Sequence, residues 1–554
     1  MAASPVPSLL DAHTQAFPIL TPNQMNRVRA LGNVKQVAPG DILFKPGDTN
    51  VPFFLLLSGA MEVVQPDLLG EHSVAKHGPG EFTGEMTMIS GQRCLVLGRV
   101  TEPGEFVEVG PEGLRTLIAR DGELNEILMR AFILRRLELI RRGLGNVILL
   151  GSRYSAKTLE LREFLTRNGY PYAYIDLDTD KTSQGLLDHF QVQRDEVPVV
   201  ICTNHGVMRN PSIQKLADCL GFNSRIDASQ IRDLIIVGAG PSGLAAAVYA
   251  ASEGLDVLVV ELASPGGQAG SSSKIENYLG FPVGVSGQEL ATRALTQAEK
   301  FGAQMMVACN VAHLDCGRRP YKVVLEDGKS LGARAIIIAT GAQYNKPPIP
   351  NLHRFEGQGV YYGATNMESQ LCEGDDVVVV GGGNSAGQAA VFLSQTTRKV
   401  HMLVRSGQLS DTMSRYLIQR IEQNPAIDLH YRSEITGLDG DSHLERITWR
   451  DETGATSTHD IRHVFIMAGA SPRTEWLEGC VALDNKGFIL TGADIDAAAA
   501  VPLRPTVPPQ MLETSLSGVF AVGDVRSGNV KRVASAVGEG AIAVSMVHRT
   551  LATL

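Results

Sequence analysis

Two glycine-rich turns, each set between an apolar strand and an alanine-rich helix, constrain this chain more than any other feature. The first lies in DLIIVGAGPSGLAAAVYAASEGLDVLVVE, Asp233 to Glu261, where Gly238, Gly240 and Gly243 form G-x-G-x-x-G. Glycines there permit the tight turn, the approach of a pyrophosphate to the backbone, and close packing of helix on strand. Pro241 and Ser242 open the helix, and Glu261 ends the following strand, where a carboxylate accepts hydrogen bonds from ribose hydroxyls. A purely structural glycine turn is the bland alternative. The strand, helix and terminal acid all fall where a dinucleotide site needs them.

The second turn lies in DVVVVGGGNSAGQAAVFLSQTTRKVHMLVR, Asp376 to Arg405. Laid over the first with Asp376 on Asp233, it places Gly381 and Gly383 on the first two glycines and Ala386 on the third, with Asn384 and Ser385 at the helix start. Val404 stands where Glu261 stood, and Arg405 follows it. A carboxylate at that point would repel a ribose 2′-phosphate, whereas a guanidinium pairs with one bidentately. The first turn therefore suits an adenosine ribose with free hydroxyls, and the second suits NADPH over NADH. The other reading of Arg405 is a solvated charge at a strand end.

Residues 231–554 resemble the low-molecular-weight thioredoxin reductases. The matching text includes GGQAG (266–270), IENYLGFP (275–282), IIIATGA (336–342), GGGNSAGQAA (381–390), ETSLSGVFAVGDV (513–525) and KRVASAVGEGAIAV (531–544). The resemblance implies an FAD domain, 231–347 with 472–554, into which an NAD(P) domain, 348–471, is inserted. It implies FAD contacts from Gly267, Gln268, Asn277, Ala339, Thr340, Gly341, Gly523, Asp524, Arg532 and Val533. Asp524 would bond the ribityl chain or pyrophosphate; Gln268 and Asn277 would line the flavin. It also implies a homodimer, and a rotation of the two nucleotide domains during turnover.

One departure from that family bears directly on function. Its NADPH insert carries C-A-T-C, but the matching segment here is GVYYGATNMESQLCEG (359–374), with Gly363 and Asn366 in the two thiol positions. Dithiol exchange needs an attacking thiolate and a resolving partner, and neither residue supplies one. Cys372 is near in sequence, and is either a small buried residue or a thiol with redox work. Electrons would then pass from the flavin to a non-thiol acceptor, as in the ferredoxin and flavodoxin reductases of the same fold.

The remainder of the chain reads as two further domains. Residues 1–142 alternate short apolar runs with Gly-containing turns, the pattern of a small β-roll, followed by a helical stretch from Glu112 to Arg142 with a basic end. GDILFKPGD (40–48), FFLLLSGAMEVV (53–64) and FTGEMTMISGQR (82–93) resemble the cyclic-nucleotide-binding domain, which makes Gly84, Glu85 and Arg93 the candidates for the cyclic phosphate and ribose. Arg93 lies one residue early by that register, so a degenerate domain or another ligand stays open. Residues 146–225 alternate strand and helix and resemble the thioredoxin/glutaredoxin fold, with Val197–Pro198 at the cis-proline position and Ser152 and Ser155 where thiols would stand. The fold class is thus α/β multidomain: a β-roll with helices, a thioredoxin-like domain, and two Rossmann-like domains, one inserted in the other.

Composition argues against a nucleic-acid or membrane surface. The net charge of −9 provides no basic field for phosphates, and runs such as VVVV (377–380) fall far short of the roughly 20 residues that span a bilayer. Seven cysteines without a C-x-x-C argue against a disulfide scaffold and against zinc, and Cys202 and Cys219 read as core. His205, His401 and His548 have no ligand-spaced partners, so no metal is expected; Arg135, Arg136, Arg141 and Arg142 read as a solvated face, and 493–510 as a surface loop. The N-terminus MAASPVPSLLDAHTQ has no Lys or Arg and no continuous apolar core, unlike a signal peptide, so a cytoplasmic location is expected. Three functions stay open: an NADPH-dependent flavin reductase with a non-thiol acceptor, a redox or cyclic-nucleotide sensor with little turnover, and a thioredoxin reductase using an unplaced cysteine.

Overall fold

The computed structural model describes residues 14–67, 70–84, 87–90, 93–142, 147–179, 192–193, 196–202, 206–223, 226–272, 274–275, 277–364, 366–409, 413–441, 443–495 and 508–553. Glu85, His205, the N-terminal residues 1–13, the helix read from 185–190, Thr365 and the loop core 496–507 lie outside them. The chain divides into two units, Met1–Arg153 with Asn168–Arg225, and Tyr154–Arg167 with Ile226–Leu554.

In the first unit, β1 (Asn33–Val37), β2 (Ile42–Phe44), β3 (Phe53–Leu56), β4 (Ala60–Asp67), β5 (Gly70–His77), β6 (Leu97–Glu102) and β7 (Gly104–Val109) form two sheets, β1-β7-β3 and β2-β6-β4-β5. The uninterrupted apolar run of β3 is buried at all four positions. Phe53 stacks among Phe82 and Phe132, with ring centroids 5.5 and 6.5 Å away. Each such ring removed from water contributes roughly 1.5–3 kcal/mol. Phe132 comes from α1 (Gly122–Arg141), so this cluster ties the helix to the roll.

The helical stretch from Glu112 is not continuous. Asp121 adopts an extended backbone and caps α1, its side chain accepting from the Leu124 N–H at 3.1 Å. The basic face is also divided. Arg141 and Arg142 are exposed and pair with Glu138, but Arg135 and Arg136 are buried. Arg135 donates to the carbonyls of Ala16, Phe82 and Gly84 at 2.8–3.0 Å, so backbone oxygens replace the solvent expected around it. Desolvation lowers its pKa to about 9.

A third sheet of this unit runs β11-β10-β8-β9, from β8 (Val147–Gly151), β9 (Ala173–Asp176), β10 (Val199–Cys202) and β11 (Gly206–Arg209). β8 and β9 are parallel, β10 is antiparallel to β8, and Val197–Pro198 just before β10 is cis. Helix α3 (Ile213–Leu220), capped by Ser212 and ended by Gly221 at φ +73°, follows β11. Helix α2 (Ala156–Arg167), read with this sheet from the sequence, is grouped with the second unit instead.

The second unit holds two larger sheets, one mixed and one parallel. In the first, β12 (Arg232–Val237) lies between β13 (Val257–Val260) and β14 (Ser330–Ile338); β18 (Val519–Ala521) returns from the far end of the chain to pair with β14. In the second, β15 (Asp376–Val380) lies between β16 (Lys399–Val404) and β17 (His463–Ile466). Beyond Arg232 and Asp233 in one and Asp376 in the other, the central strands are apolar, as strands covered on both faces must be. Helix α4 (Pro241–Ser252) follows the first glycine turn and α5 (Asn384–Leu393) the second. The C-terminal α6 (Val533–Ala552) packs on α4 so closely that a Cβ on Gly540 would stand 2.2 Å from the Ser242 carbonyl oxygen.

Cysteines and histidines carry partners the sequence did not reveal. Cys316 and Cys480 form a disulfide across 164 residues. His401 Nδ1 lies 3.2 Å from His430 Nε2, and His548 Nε2 lies 2.8 Å from Glu253. Among the described residues no cluster of three or more His, Cys, Asp or Glu suits a metal ion, and no helix is long and apolar enough to cross a membrane.

Candidate functional site

The first glycine turn is built by close approach. Gly238 has φ +105°, and a Cβ there would lie 2.3 Å from the Ala339 oxygen. At Gly243 a Cβ would lie 1.9 Å from the Gly238 oxygen. Both glycines are required by packing before any ligand is considered. Gly240, the N-cap of α4, faces Gly267, whose own Cβ would stand 3.0 Å from the Gly240 Cα. Two bare backbones thus meet at the helix N-terminus, the arrangement that a pyrophosphate cradle requires. Glu261 accepts from the N–H groups of Ala239 and Ala263 at 2.7 and 3.0 Å, so the acid that ends β13 also fastens the turn.

The second turn repeats this plan with fewer restraints. A Cβ at Gly381 would meet the Met467 oxygen at 2.5 Å, but one at Gly383 would meet nothing within 4 Å. Val404 is buried, and Arg405 is exposed and makes no ion pair among the described residues. Asn384 Oδ1 accepts from the Ser414 N–H at 2.9 Å, fixing the start of α5.

One cavity of about 1210 Å³ joins the two turns. It gathers Gly238, Gly240, Pro241, Ser242, Glu261, Gly267, Gln268, Asn277, Ala339, Thr340, Gly341, Asp524, Arg532 and Val533 from the first set of sequence candidates. From the second set it gathers Gly381, Gly383, Asn384, Ser385, Ala386 and Arg405. Gly243 and Gly523 stand behind the wall: Gly523, at φ +73°, lies against the Ser242 hydroxyl. Gln268 Nε2 donates to the Ala342 carbonyl. Asp524 accepts no hydrogen bond from a described residue, and burial raises its pKa, opposed by Lys531 and reinforced by Glu539. A partly buried acid facing a cavity in this way fits a polar ligand bearing hydroxyl donors.

Several supporting residues were not legible from motifs. Glu539 accepts from the Gly523 N–H at 2.7 Å and from Arg526 and Asn529 at 2.6 and 3.0 Å, holding the turn that carries Asp524. Arg167 Nη2 donates to the Gly267 carbonyl at 2.8 Å, so α2 braces the GGQAG segment. Gly363 lines the cavity beside Ser271. Cys372 does not line it; its thiol is buried, bonds the Glu368 carbonyl at 3.2 Å, and is pushed up to about 12 by desolvation. The candidates of the first unit are less fully placed. Gly84 has φ +119° and its carbonyl accepts from Arg135, while Arg93 Nη1 donates to the Cys219 carbonyl at 3.2 Å.

Comparison with known proteins matches residues 232–540 to the family described as pyridine nucleotide-disulphide oxidoreductase. The chain belongs to that family. Residues 34–121 match the cyclic nucleotide-binding domain. The chain is 33% identical to a Streptomyces clavuligerus thioredoxin reductase over 328 residues, 59% of this chain and 96% of that one. A Bacillus subtilis thioredoxin reductase is 32% identical over 321 residues, 58% of this chain and 94% of the relative. Among solved structures, Lactococcus lactis thioredoxin reductase in its FR conformation aligns with TM-score 0.53 at 27% identity, covering 58% of this chain and all of the other. The T. acidophilum thioredoxin reductase gives 0.51 at 29% identity, covering 57% and 98%. This family member is a thioredoxin reductase-like NAD(P)H flavoprotein oxidoreductase fused to a cyclic nucleotide-binding domain, and thioredoxin reductase family members use FAD and NADPH.

Proposed function

We propose that this protein passes electrons from NADPH through FAD to an acceptor that is not a thiol pair of its own nucleotide domains. The first glycine turn, Glu261, Gln268, Asn277 and Asp524 would hold FAD, within 231–347 and 472–554; Gly381 to Ala386 and Arg405 would hold NADPH, within 348–471. FAD supplies the two-electron centre that takes hydride from NADPH. Around it the chain's residues would bind and orient: backbone N–H groups at the start of α4 would hold the pyrophosphate, Glu261 the ribose, and Asp524 a hydroxyl.

The observation that carries the reading is Gly363. It lines the cavity where relatives of this family place a thiol, and a Cβ there would meet only the Ser271 Cβ at 3.5 Å, an ordinary contact. Space would admit a cysteine, so its absence is a matter of residue identity. Cys372, buried and held protonated, offers no substitute. Anaerobic NADPH should bleach the flavin absorbance within a turnover. An acceptor screen should then find quinone-like or protein acceptors reduced while a thioredoxin and DTNB are not. Flavin that stays oxidised for minutes overturns the reductase reading, and rapid thioredoxin reduction overturns the non-thiol acceptor.

A second reading, gating by a ligand of the front domain, is favoured by Arg93. This candidate for the cyclic phosphate also grips the last turn of α3 through the Cys219 carbonyl. A ligand drawing Arg93 away would release that grip. NADPH oxidation measured with and without cyclic AMP or cyclic GMP tests it, and equal rates at saturation count against gating. A homodimer and a cytoplasmic location complete the proposal, the first checked by light scattering.

A further inference from the structure

A pair of thiols in the first unit takes no part in the dinucleotide chemistry. Cys202 ends β10, Cys219 lies in the last turn of α3, and their Sγ atoms are 3.4 Å apart. Cys202 is buried and Cys219 is half-buried, so Cys219 is the one a small solute reaches. Arg93 donates to the Cys219 carbonyl, and Gly221 leaves room for the guanidinium, since a Cβ there would stand 2.5 Å from Arg93 Nε. Tyr170, buried, and Arg136, which donates to the Gly169 carbonyl at 3.1 Å, also stand near the pair.

The two sulfurs are chemically unequal. The hydrogen bond between the two sulfurs, with the nearby Arg93 charge and against the pull of burial, holds the Cys219 thiol below its ordinary range. The same bond, burial and the neighbouring thiolate push Cys202 up. An accessible thiol favoured as thiolate beside a buried partner favoured as thiol is the division between attacking and resolving cysteines.

We propose that Cys219 and Cys202 are a reversible redox site, oxidised by hydrogen peroxide to an intramolecular disulfide and reduced again by low-molecular-weight thiols. The Cys219 thiolate attacks one peroxide oxygen: an S–O bond forms, the O–O bond breaks, and the leaving hydroxide takes a proton to become water. Cys202 then attacks the sulfenic sulfur: the S–S bond forms, the S–O bond breaks, and the hydroxide leaves with the Cys202 proton as a second water. Two thiols and one peroxide give one disulfide and two waters. Two small thiols reverse it, becoming a disulfide themselves. The approach required is from 3.4 Å to the roughly 2.05 Å of an S–S bond. The product ties the end of β10 to the turn of α3 that Arg93 holds.

The test uses the full-length, FAD-loaded protein and needs no variant for its first arm. After stoichiometric hydrogen peroxide, acid quench and alkylation, non-reducing peptide mapping should yield a Cys202–Cys219 linked peptide. The buried Cys94, Cys309 and Cys372 should remain alkylated, and mercaptoethanol should restore both thiols. Cys202 and Cys219 both fully alkylated after peroxide, or Cys219 driven to sulfinic acid with Cys202 free, overturns the proposal. In Cys202→Ser, dimedone should trap Cys219 as sulfenic acid; no adduct overturns its role as the attacking thiol. Arg93→Gln should slow cross-linking severalfold, and an unchanged rate overturns the part given to Arg93.

Discussion

The two glycine turns of the second unit share a backbone plan but differ in how each is closed. At the first, the Glu261 carboxylate binds the Ala239 N–H of the glycine turn and the Ala263 N–H just beyond its own strand, and Gly243 admits no side chain. Hydrogen bonds to an ionised group contribute roughly 1.5–3 kcal/mol each, so this turn is rigid before any ligand arrives. At the second, Val404 is buried and silent, Ala386 replaces the third glycine, and Arg405 is exposed at the cavity. The first suits a resident cofactor held for many turnovers. The second suits a nucleotide that arrives, is discriminated by its phosphate, and leaves.

The sharpest way to break this comparison is to add one methyl group to each turn. Gly243→Ala forces a Cβ against the Gly238 oxygen and should cost on the order of 3 kcal/mol, with loss of bound flavin read from the visible spectrum. Gly383→Ala meets no atom within 4 Å and should leave thermal stability within about 0.5 kcal/mol, while raising KM for NADPH. Equal destabilisation by the two would show that the turns are not built differently.

Arg405→Ala comes next in size. It should raise KM for NADPH by about ten- to a hundredfold and leave KM for NADH unchanged, because a charge-assisted bond to the 2′-phosphate contributes roughly 1.5–3 kcal/mol. An unaltered preference for NADPH would return Arg405 to the solvated strand end.

Much of this difference was legible in the sequence because it is local. The strand, turn, helix and terminal residue of each turn fall within about thirty positions, and spacing alone aligns Val404 with Glu261. What closes each site from a distance was not legible. Arg167 reaches Gly267 across 100 residues, and Cys316 joins Cys480 across 164. Glu539 looks like any helix-surface acid until Gly523 is placed above it. The burial of Arg135 was missed because its partners are backbone oxygens, which leave no mark in residue identity. The break at Asp121 did leave one, since Asp-Gly interrupts the apolar period there.

Arg167 gives a smaller test of the first turn. Arg167→Ala removes one donor to the Gly267 carbonyl and should weaken FAD binding by about fivefold, near 1 kcal/mol, without affecting KM for NADPH. A change in KM for NADPH instead would make α2 a support of the second turn.

Asp524 provides the smallest effect and a sign that cannot be tuned away. Burial raises its pKa above the ordinary 3.8, so in the flavin-free protein the neutral form is favoured by folding. A raised folded pKa contributes stability that is complete below the unfolded value and is lost as pH climbs through the folded one. Asp524→Asn stays neutral throughout. Flavin-free wild type and Asp524→Asn should therefore melt alike below about pH 3.8, with the variant gaining relative stability as the pH rises. With FAD bound the order should reverse, because the ionised Asp524 then has hydroxyl donors to accept from. A variant that is less stable without flavin at neutral pH would mean that Asp524 is held by the protein alone, and that the first turn is closed from within on this side too.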